Sequence, residues 1–188
     1  WLQDEHGIAP TDEMRVAMYA HAANGGIKID KTAQTGVEGL YACGEATGGM
    51  HGADRIGGLS SANGIVFGRI AGASAAQAAQ KEPETALKAD IAPPQYGIAA
   101  TDAERLTHSL RHTMSTYCMI NRTETGLSEA IHELENIQDD ATALNKPHAN
   151  DSEIAALARI QSQIQLAQEM VKAMRNRTES LGSHYRAN

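Results

Sequence analysis

The chain has 188 residues, of which 41% are hydrophobic, 21% charged and only 4% aromatic, and its formal net charge is −7. These values are typical of a globular protein with one ordinary domain or two small ones, whose core consists mainly of aliphatic and alanine side chains. The acidic balance argues against a general nucleic-acid-binding surface, and no apolar run approaches the roughly 20 residues that a membrane-spanning helix needs.

The start of the chain and its two cysteines indicate in which cellular compartment the protein is expected. The chain begins at Trp1 without an initiator Met, which suggests a processed or truncated product, and no signal peptide is visible there. Cys43 and Cys118 lie far apart, with no CxxC or Cys/His spacing. Such a pair makes neither a disulfide framework nor a metal site, so we expect a reducing, cytoplasmic location and no bound metal.

Residues 1–81 are rich in Gly and small side chains and predict part of an α/β unit. Residues 39–43 are short, apolar and bounded by glycines, as is typical of a buried strand. A Gly-rich loop follows over residues 48–58, and small residues at helical spacing predict a helix over residues 60–80. Strand, Gly-rich loop and helix in this order are typical of a nucleotide- or phosphate-binding unit.

The Gly-rich loop carries the residue types that bind an anion. Glycine lets backbone amides approach a ligand closely, and the following helix directs its partially positive N-terminus to the same place. His51 and Arg55 add cationic donors, and Arg suits bidentate recognition of carboxylate or phosphate. An alternative is a Gly-rich surface loop with an incidental Arg, but it does not explain why these residues gather between a strand and a small-residue helix.

The second half of the chain predicts a helical domain. Residues 82–100 contain three prolines and a glycine and are typical of a linker. From residue 101 onward, apolar side chains recur at helical spacing with no sign of a strand, and they predict three helices packed as an antiparallel bundle. Thr101 or Asp102 is the expected cap of the first helix, Gly126 marks a break, and the third helix starts at residues 151–153. The fold class is therefore α+β and mainly α.

Five motifs occur along the chain in an order known from one flavoprotein family. Residues 35–45 (TGVEGLYACGE) are similar to the second FAD-binding motif, in which a strand ends in Gly-Glu or Gly-Asp. Residues 51–58 (HGADRIGG) resemble the HGANR-L-G signature of fumarate reductases, succinate dehydrogenases and L-aspartate oxidases. Residues 21–27 resemble a His-x-x-x-Gly-Gly element, residues 122–127 a turn of the helical domain, and residues 177–186 the ending R-x-E-S-R-G-x-H. The chain thus resembles the succinate dehydrogenase/fumarate reductase flavoprotein family.

The resemblance implies the C-terminal part of an FAD-dependent oxidoreductase. Residues 1–20 would be the tail of a substrate-capping domain, 21–81 the C-terminal segment of the FAD-binding domain, 82–100 a linker and 101–188 the helical domain. No Gly-x-Gly-x-x-Gly element for the main FAD pyrophosphate site is present. The Arg that serves the family as proton donor would lie upstream, so no catalytic residue is assigned, and we expect this fragment alone to be inactive.

The matched positions also imply residue roles. The expected FAD contacts are Gly44, Glu45, Ser60 and Ser61. Glu45 would accept a hydrogen bond from a ribityl hydroxyl, and His21 and Arg55 would hold the carboxylates of fumarate or succinate for hydride exchange with flavin N5. The implied partners are the dicarboxylate, the rest of the flavoprotein chain and, as in membrane-bound relatives, an iron–sulfur subunit at the inner face of the membrane.

Departures from the family pattern leave the substrate open. Asp54 stands where the family has Asn and adds a negative charge beside Arg55, and Leu181 replaces an Arg of the closing motif. An L-aspartate oxidase or another FAD-dependent oxidoreductase on the same scaffold is therefore an alternative, and a non-catalytic helical interaction module is another. Arg177 and Arg186 fit either a structural ion pair or the edge of the substrate cavity.

Overall fold

The computed structural model of the chain describes residues 1–13, 21–81 and 95–187. Five α-helices lie in these ranges, α1 (Leu2–His6), α2 (Leu59–Ala79), α3 (Ala100–Tyr117), α4 (Glu124–Ala143) and α5 (Asp151–Asn176), and a 3-10 turn spans Gly44–Ala46. Four two-residue strands also lie there, β1 (Tyr96–Gly97), β2 (Asn121–Arg122), β3 (Lys146–Pro147) and β4 (Tyr185–Arg186). The predicted α+β, mainly helical fold class is confirmed. Residues 14–20 of the predicted capping-domain tail and 82–94 of the predicted linker lie outside the described residues.

Helices α3, α4 and α5 pack against one another around one apolar core and form what we call the helical bundle. Residues three and four apart share one face of a helix, so the apolar spacing in the sequence turns one stripe of each helix inward. The largest fully buried side chains are Ile98, Leu106, Leu127, Leu134, Ile160, Ile164 and Val171. Ile98 precedes α3, so the last residues of the predicted linker pack with the helices.

The start of α5 also anchors the segment before α3. Asn150 forms a capping box with this helix, because its side chain accepts from the Glu153 amide and the Glu153 carboxylate accepts from the Asn150 amide, both at 3.1 Å. The Glu153 carbonyl accepts from the Ile98 amide at 3.2 Å, and β1 pairs antiparallel with β3. The predicted start of the third helix at residue 151 is confirmed.

The other two bundle helices begin differently. Thr123 caps α4 by accepting a hydrogen bond from the Gly126 amide at 3.0 Å, so the helix starts two residues before the break predicted at Gly126. Helix α3 follows Ala99, which has no side-chain cap. The predicted capping by Thr101 or Asp102 is wrong, because both residues already lie within the first turn of α3.

Two predictions about strands are wrong. Residues 39–43 form no strand: Tyr41 makes a single antiparallel bridge with Gln34, and Leu40 is 49% exposed. An apolar segment becomes a buried strand only when other strands and helices cover it, and the described residues supply only that one bridge. The helical half does contain strands, β2, β3 and β4, but two-residue strands are too short to give an alternating pattern.

Helix α2 confirms the predicted helix over residues 60–80 within one residue at each end. Larger apolar side chains on this helix are exposed to solvent in the described structure: Ile65 is 75% and Val66 52% exposed. Among the residues of α2, only Ala71 is buried. No helix in the described part of the chain combines the length and apolarity that crossing a bilayer requires.

The end of the chain is tied to the start of α4 by an ion-pair network. The Glu124 carboxylate accepts from Arg186 Nη2 at 2.7 Å and from Arg175 Nε at 2.6 Å, while β4 runs parallel to β2. The hydrogen bond from Arg186, followed by that from Arg175, lowers the pKa of Glu124. Arg186 is therefore a structural ion-pair residue, whereas Arg177 forms no ion pair within the described residues.

Replacing Glu124 by Gln is expected to lower the thermal unfolding midpoint modestly at neutral pH, since the carboxylate is half exposed and solvent screens the pair. Because the folded-state pKa of Glu124 is lowered, its stabilising contribution is complete above the unfolded-state pKa and is lost as pH falls through the folded-state pKa. The difference between wild type and Glu124→Gln should therefore shrink below about pH 4 in calorimetry at a series of pH values.

Glu135→Gln is the matched control, because Glu135 is an exposed carboxylate on the same helix with no ion pair in the described part of the chain. Its unfolding midpoint should equal that of the wild type. A loss of the same size in both variants, or a Glu124→Gln difference that persists in acid, would contradict the assignment.

Candidate cofactor and substrate site

Two Gly-rich segments meet along their backbones and form the floor of the candidate site. Ile27 and Thr47 make a parallel bridge, in which the Ile27 amide donates to the Ala46 carbonyl at 2.9 Å and the Gly48 amide donates to the Ile27 carbonyl at 3.1 Å. A Cβ on Gly48 would lie 2.7 Å from the amide nitrogen of Gly26. Only glycine fits this approach, which places the motif of residues 21–27 beside the start of the Gly-rich loop at Gly48.

Glu45 projects from a short rigid turn above this floor. Its Oε1 accepts a hydrogen bond from the Ala23 amide at 2.8 Å, and the second carboxylate oxygen has no hydrogen bond within the described residues. Gly44 begins the 3-10 turn with a φ of 72°, and the buried Thr47 hydroxyl donates to the Gly44 carbonyl at 2.7 Å. The turn therefore presents one free carboxylate oxygen, a hydrogen-bond acceptor, towards the cavity that Glu45 helps to line.

A cavity of about 160 Å³ brings together side chains that are far apart in the sequence. Its lining residues are His21, Ala22, Ala23, Glu45, His51, Arg55, Ser60 and Asn63. Four of the six residues predicted to bind FAD or substrate, His21, Glu45, Arg55 and Ser60, are among them, whereas Gly44 and Ser61 are not in the lining. His51, predicted as a further cationic donor, also lines the cavity.

Two side chains in the cavity carry buried polar atoms without a partner in the described structure, Arg55 Nε and Asn63 Oδ1. The Asn63 Nδ2 lies 3.4 Å from His51 Nε2. Rotating the Asn63 amide by 180° would exchange its two groups, so one of them stays unsatisfied in either orientation. Because buried polar groups in native proteins nearly always have partners, Arg55 and Asn63 are suited to contact a ligand.

Asp54 does not neutralise Arg55. Its Oδ1 accepts from the Asn24 side-chain amide at 3.0 Å and from the Arg55 backbone amide at 2.7 Å. In the described structure the Arg55 guanidinium forms no ion pair with this carboxylate. The negative charge that Asp54 adds beside Arg55 is therefore held by Asn24, and in the described structure the Arg55 guanidinium has no ion pair at the cavity.

The N-terminus of α2 points its amides at the same region. Gly58 precedes the helix in the left-handed conformation, with a φ of 85° and no side-chain cap. The Ser61 and Ala62 amides donate to the Gly58 carbonyl at 3.1 and 3.3 Å, while the Ser60 amide has no acceptor in the described part of the chain. A free amide at a partially positive helix end favours a negatively charged or carbonyl oxygen.

Asn63 is the site residue that sequence reasoning missed. It lies three residues after Ser60 on α2, so both side chains share one helix face and reach the same cavity. The three-residue spacing from Ser60 could have indicated that Asn63 faces the site, but a single Asn in a helix belongs to no sequence motif. His51, predicted as a cationic donor, contacts Asn63 rather than standing free.

Two other features lie outside this cavity, and one of them includes Arg186, which the sequence left open as a residue at the edge of the substrate cavity. A larger, open cavity of about 500 Å³ is lined by residues at the α4 start and the chain end, where Arg186 is already paired with Glu124. Burial raises the pKa of the Cys118 thiol to about 11, so it is no thiolate nucleophile at neutral pH. The described residues contain no group of three His, Cys, Asp or Glu side chains arranged to hold a metal ion.

Comparison with known families matches both parts of the chain. Residues 107–188 match the family model described as fumarate reductase flavoprotein C-term, and residues 2–61 match the model described as FAD binding domain. The second match covers the Glu45 turn and the cavity residues up to Ser60, so FAD is the cofactor that it assigns.

Individual proteins agree with the family models. An uncharacterised FAD-dependent oxidoreductase of Methanocaldococcus jannaschii is 33% identical over 93% of this chain and 33% of its own length. L-aspartate oxidase of Acinetobacter baylyi is 30% identical over 96% of this chain and 34% of its own length. A solved structure of a mutant quinol fumarate reductase of E. coli superposes with a TM-score of 0.77 at 26% identity, over 99% of this chain and 34% of that one. The chain spans about a third of the length of these relatives.

The glycine contact at the site floor gives a prediction for stability. Gly48→Ala places a Cβ 2.7 Å from the Gly26 amide nitrogen, and such overpacking typically costs about 1–3 kcal/mol. Gly36→Ala is the matched control, because a Cβ there meets nothing within 4 Å. Denaturant unfolding of both variants of the full-length protein should show a loss of stability for Gly48→Ala alone, and the same variant should contain less bound flavin. Equal stabilities would contradict the close approach of the two segments.

Proposed function

This chain belongs to the fumarate reductase/succinate dehydrogenase flavoprotein family, and we propose that it forms the C-terminal part of an enzyme that reduces fumarate or oxidises succinate. The activity is that of the longer protein, because the chain spans about a third of its relatives. The observation that carries the proposal is the cavity in which His21, Arg55 and Glu45 converge. A dicarboxylate needs cationic partners, and a flavin ribityl chain needs an acceptor; the cavity supplies both.

The cavity residues fit an FAD. Glu45 offers to a ribityl hydroxyl the carboxylate oxygen that has no partner among the described residues, while its other oxygen is fixed by the Ala23 amide. The Ser60 amide, which has no acceptor within the described ranges, would donate to a flavin oxygen. Gly44 shapes the turn behind Glu45, and Ser61 would lie beside Ser60 at the same helix end. A partially positive helix end there favours the negative charge that reduced flavin carries near N1 and O2.

The substrate would be held by Arg55 and His21. We assign one carboxylate to the Arg55 guanidinium, whose buried Nε lacks a partner in the described structure, and the other to His21. Reduced FAD, when bound, would supply the hydride for the fumarate double bond and would be left as oxidised FAD, with a proton completing succinate; succinate oxidation would be the reverse. The proton donor is expected in the part of the protein that precedes this chain, so these two residues bind and orient the substrate without moving a proton.

We further propose the domain limits expected from the resemblance, with 1–20 as the capping tail, 21–81 as FAD domain, 82–100 as linker and 101–188 as helical domain. Exposed apolar side chains on α2, including Ile65 at 75% exposure, support a partner surface for the rest of the flavoprotein chain. The proposal also includes an iron–sulfur subunit as a partner. The proposed location is the cytoplasm, at the inner face of the membrane where such a partner is bound. The two free cysteines agree with that location.

L-aspartate oxidation is the second candidate function. It is favoured by the 30% identity to L-aspartate oxidase of Acinetobacter baylyi over nearly the whole chain. The substrates share two carboxylates, so the same Arg55 and His21 contacts serve either one. Aspartate differs by an amino group, whose positive charge would interact with a nearby carboxylate; Asp54 is close in sequence but is engaged by Asn24.

The experiment that decides the function is an absorbance spectrum of the purified full-length protein, followed by anaerobic reduction and addition of fumarate. We expect flavin bands that bleach on reduction and return with fumarate. Bands that return only with oxygen, after reduction by aspartate, would favour the oxidase. Absence of flavin would contradict the enzyme function and leave the helical interaction module.

The Arg55→Ala variant of the full-length protein is expected to lower kcat/KM for fumarate roughly 100-fold, the loss of one charge-assisted bidentate contact, with flavin content unchanged. Arg69→Ala is the matched control, since Arg69 is an exposed cation on α2 outside the cavity. The kcat/KM of both variants is measured by steady-state kinetics with a reduced dye as the electron donor. Similar kcat/KM values for Arg55→Ala and wild type would remove Arg55 from the substrate site.

A further inference from the structure

The closing turn of the chain touches the loop that carries Arg55. Leu181 and His184 form a two-residue antiparallel bridge, with the Leu181 amide donating at 2.9 Å and the His184 amide at 3.2 Å. At the tip of this turn Gly182 has a φ of 61° and lies against Ala53. A Cβ on Gly182 would overlap the Ala53 carbonyl oxygen and lie 2.6 Å from its carbon.

The turn is held rigidly on its other side by the helical bundle. Arg122 Nη1 lies 2.8 Å from His184 Nδ1, and the Arg177 carbonyl lies 2.9 Å from His184 Nε2. Arg can only donate and a carbonyl can only accept, so His184 accepts at Nδ1 and donates at Nε2–H. Strand β4, which follows the turn directly, pairs with β2, and the Ala187 amide donates to the Arg122 carbonyl at 2.8 Å. The bundle therefore fixes where Gly182 lies.

The Arg55 loop has few restraints of its own. Asp54 holds the loop through Asn24 and the Arg55 backbone amide, but the Arg55 guanidinium has no ion pair within the described residues, and its Nε is unpartnered. The position of the guanidinium therefore depends on the backbone of residues 53–55. The Gly182 turn, which follows the helical bundle in the chain, lies against this backbone at Ala53.

We propose that the turn formed by residues 181–184 is a positioning element for the substrate site, which sets the backbone of residues 53–55 and through it the Arg55 side chain. The contacts that transmit this effect run from Arg122 to His184, through the turn to Gly182, and from Gly182 to Ala53. Glycine is required at 182 because the turn needs both a left-handed residue and a surface without a Cβ. This inference rests on the proposed function for its kinetic effect, whereas the positioning of the loop does not depend on which substrate is bound.

The test is Gly182→Ala in the full-length protein, compared with Gly7→Ala. Gly7 also has a left-handed φ, 68°, but a Cβ there meets nothing within 4 Å. Both substitutions carry the same kind of backbone strain, and only Gly182→Ala adds the collision with Ala53. We expect faster amide hydrogen exchange in the peptide containing residues 52–58 for Gly182→Ala alone, measured by mass spectrometry.

The kinetic readout is separate. In Gly182→Ala we expect KM for fumarate to rise roughly tenfold, with a smaller change in kcat and unchanged flavin content, because a misplaced binding group weakens substrate contacts. His184→Ala releases the turn without a collision and serves if Gly182→Ala does not fold; it should change exchange and KM in the same direction. The Gly7→Ala variant should match the wild type in both.

Exchange and kinetics separate the two proposals. Unchanged exchange over residues 52–58 in both Gly182→Ala and His184→Ala would overturn the positioning role, whatever the substrate. Faster exchange in a protein that does not turn over fumarate would support the positioning role and contradict the proposed function. Equal effects of Gly7→Ala and Gly182→Ala would assign the change to backbone strain and also overturn the role.

Discussion

The close approach of two glycine-containing backbones is the constraint on which the candidate site depends. Ile27 and Thr47 are joined by backbone hydrogen bonds, and Gly26 and Gly48 leave no room for a Cβ between the segments. This contact places Ala23 beside the Glu45 carboxylate and thereby orders one of its oxygens. Without it, His21 and Glu45 would belong to separate loops, because each segment is short and has few buried side chains of its own.

The two parts of the described chain are stabilised in different ways. The helical bundle buries a continuous apolar core with several side chains at zero exposure, and burial of this kind is the main favourable term in folding. Residues 21–81 instead depend on backbone hydrogen bonds, tight turns and glycine contacts, and α2 leaves Ile65 and Val66 exposed. The contact of Gly182 with Ala53 links the better-packed part to the site loop. A functional loop held by a rigid neighbour is a common solution for binding sites.

Much of the molecule was predictable because helices leave a periodic apolar pattern. Leu106, Leu134 and Ile164, one from each of the three predicted bundle helices, are buried as expected, and α2 begins one residue from its predicted start. The strand over residues 39–43 failed because a local apolar run cannot reveal whether neighbouring strands are present to cover it. Asn63 and Gly182 were not assigned site roles because their partners, His51 and Ala53, are close only in space.

The sequence by itself determined the family, the cofactor class, the helical second half and most members of the candidate site, since these depend on motifs, spacing and local periodicity. Only the tertiary structure decided that Asp54 is turned towards Asn24 and leaves Arg55 unpaired within the described residues, and that Arg186 serves an ion pair with Glu124. Side-chain partners of this kind are set by which segments meet across long sequence separations. A sequence lists the charged groups, but their direction and pairing follow from backbone packing.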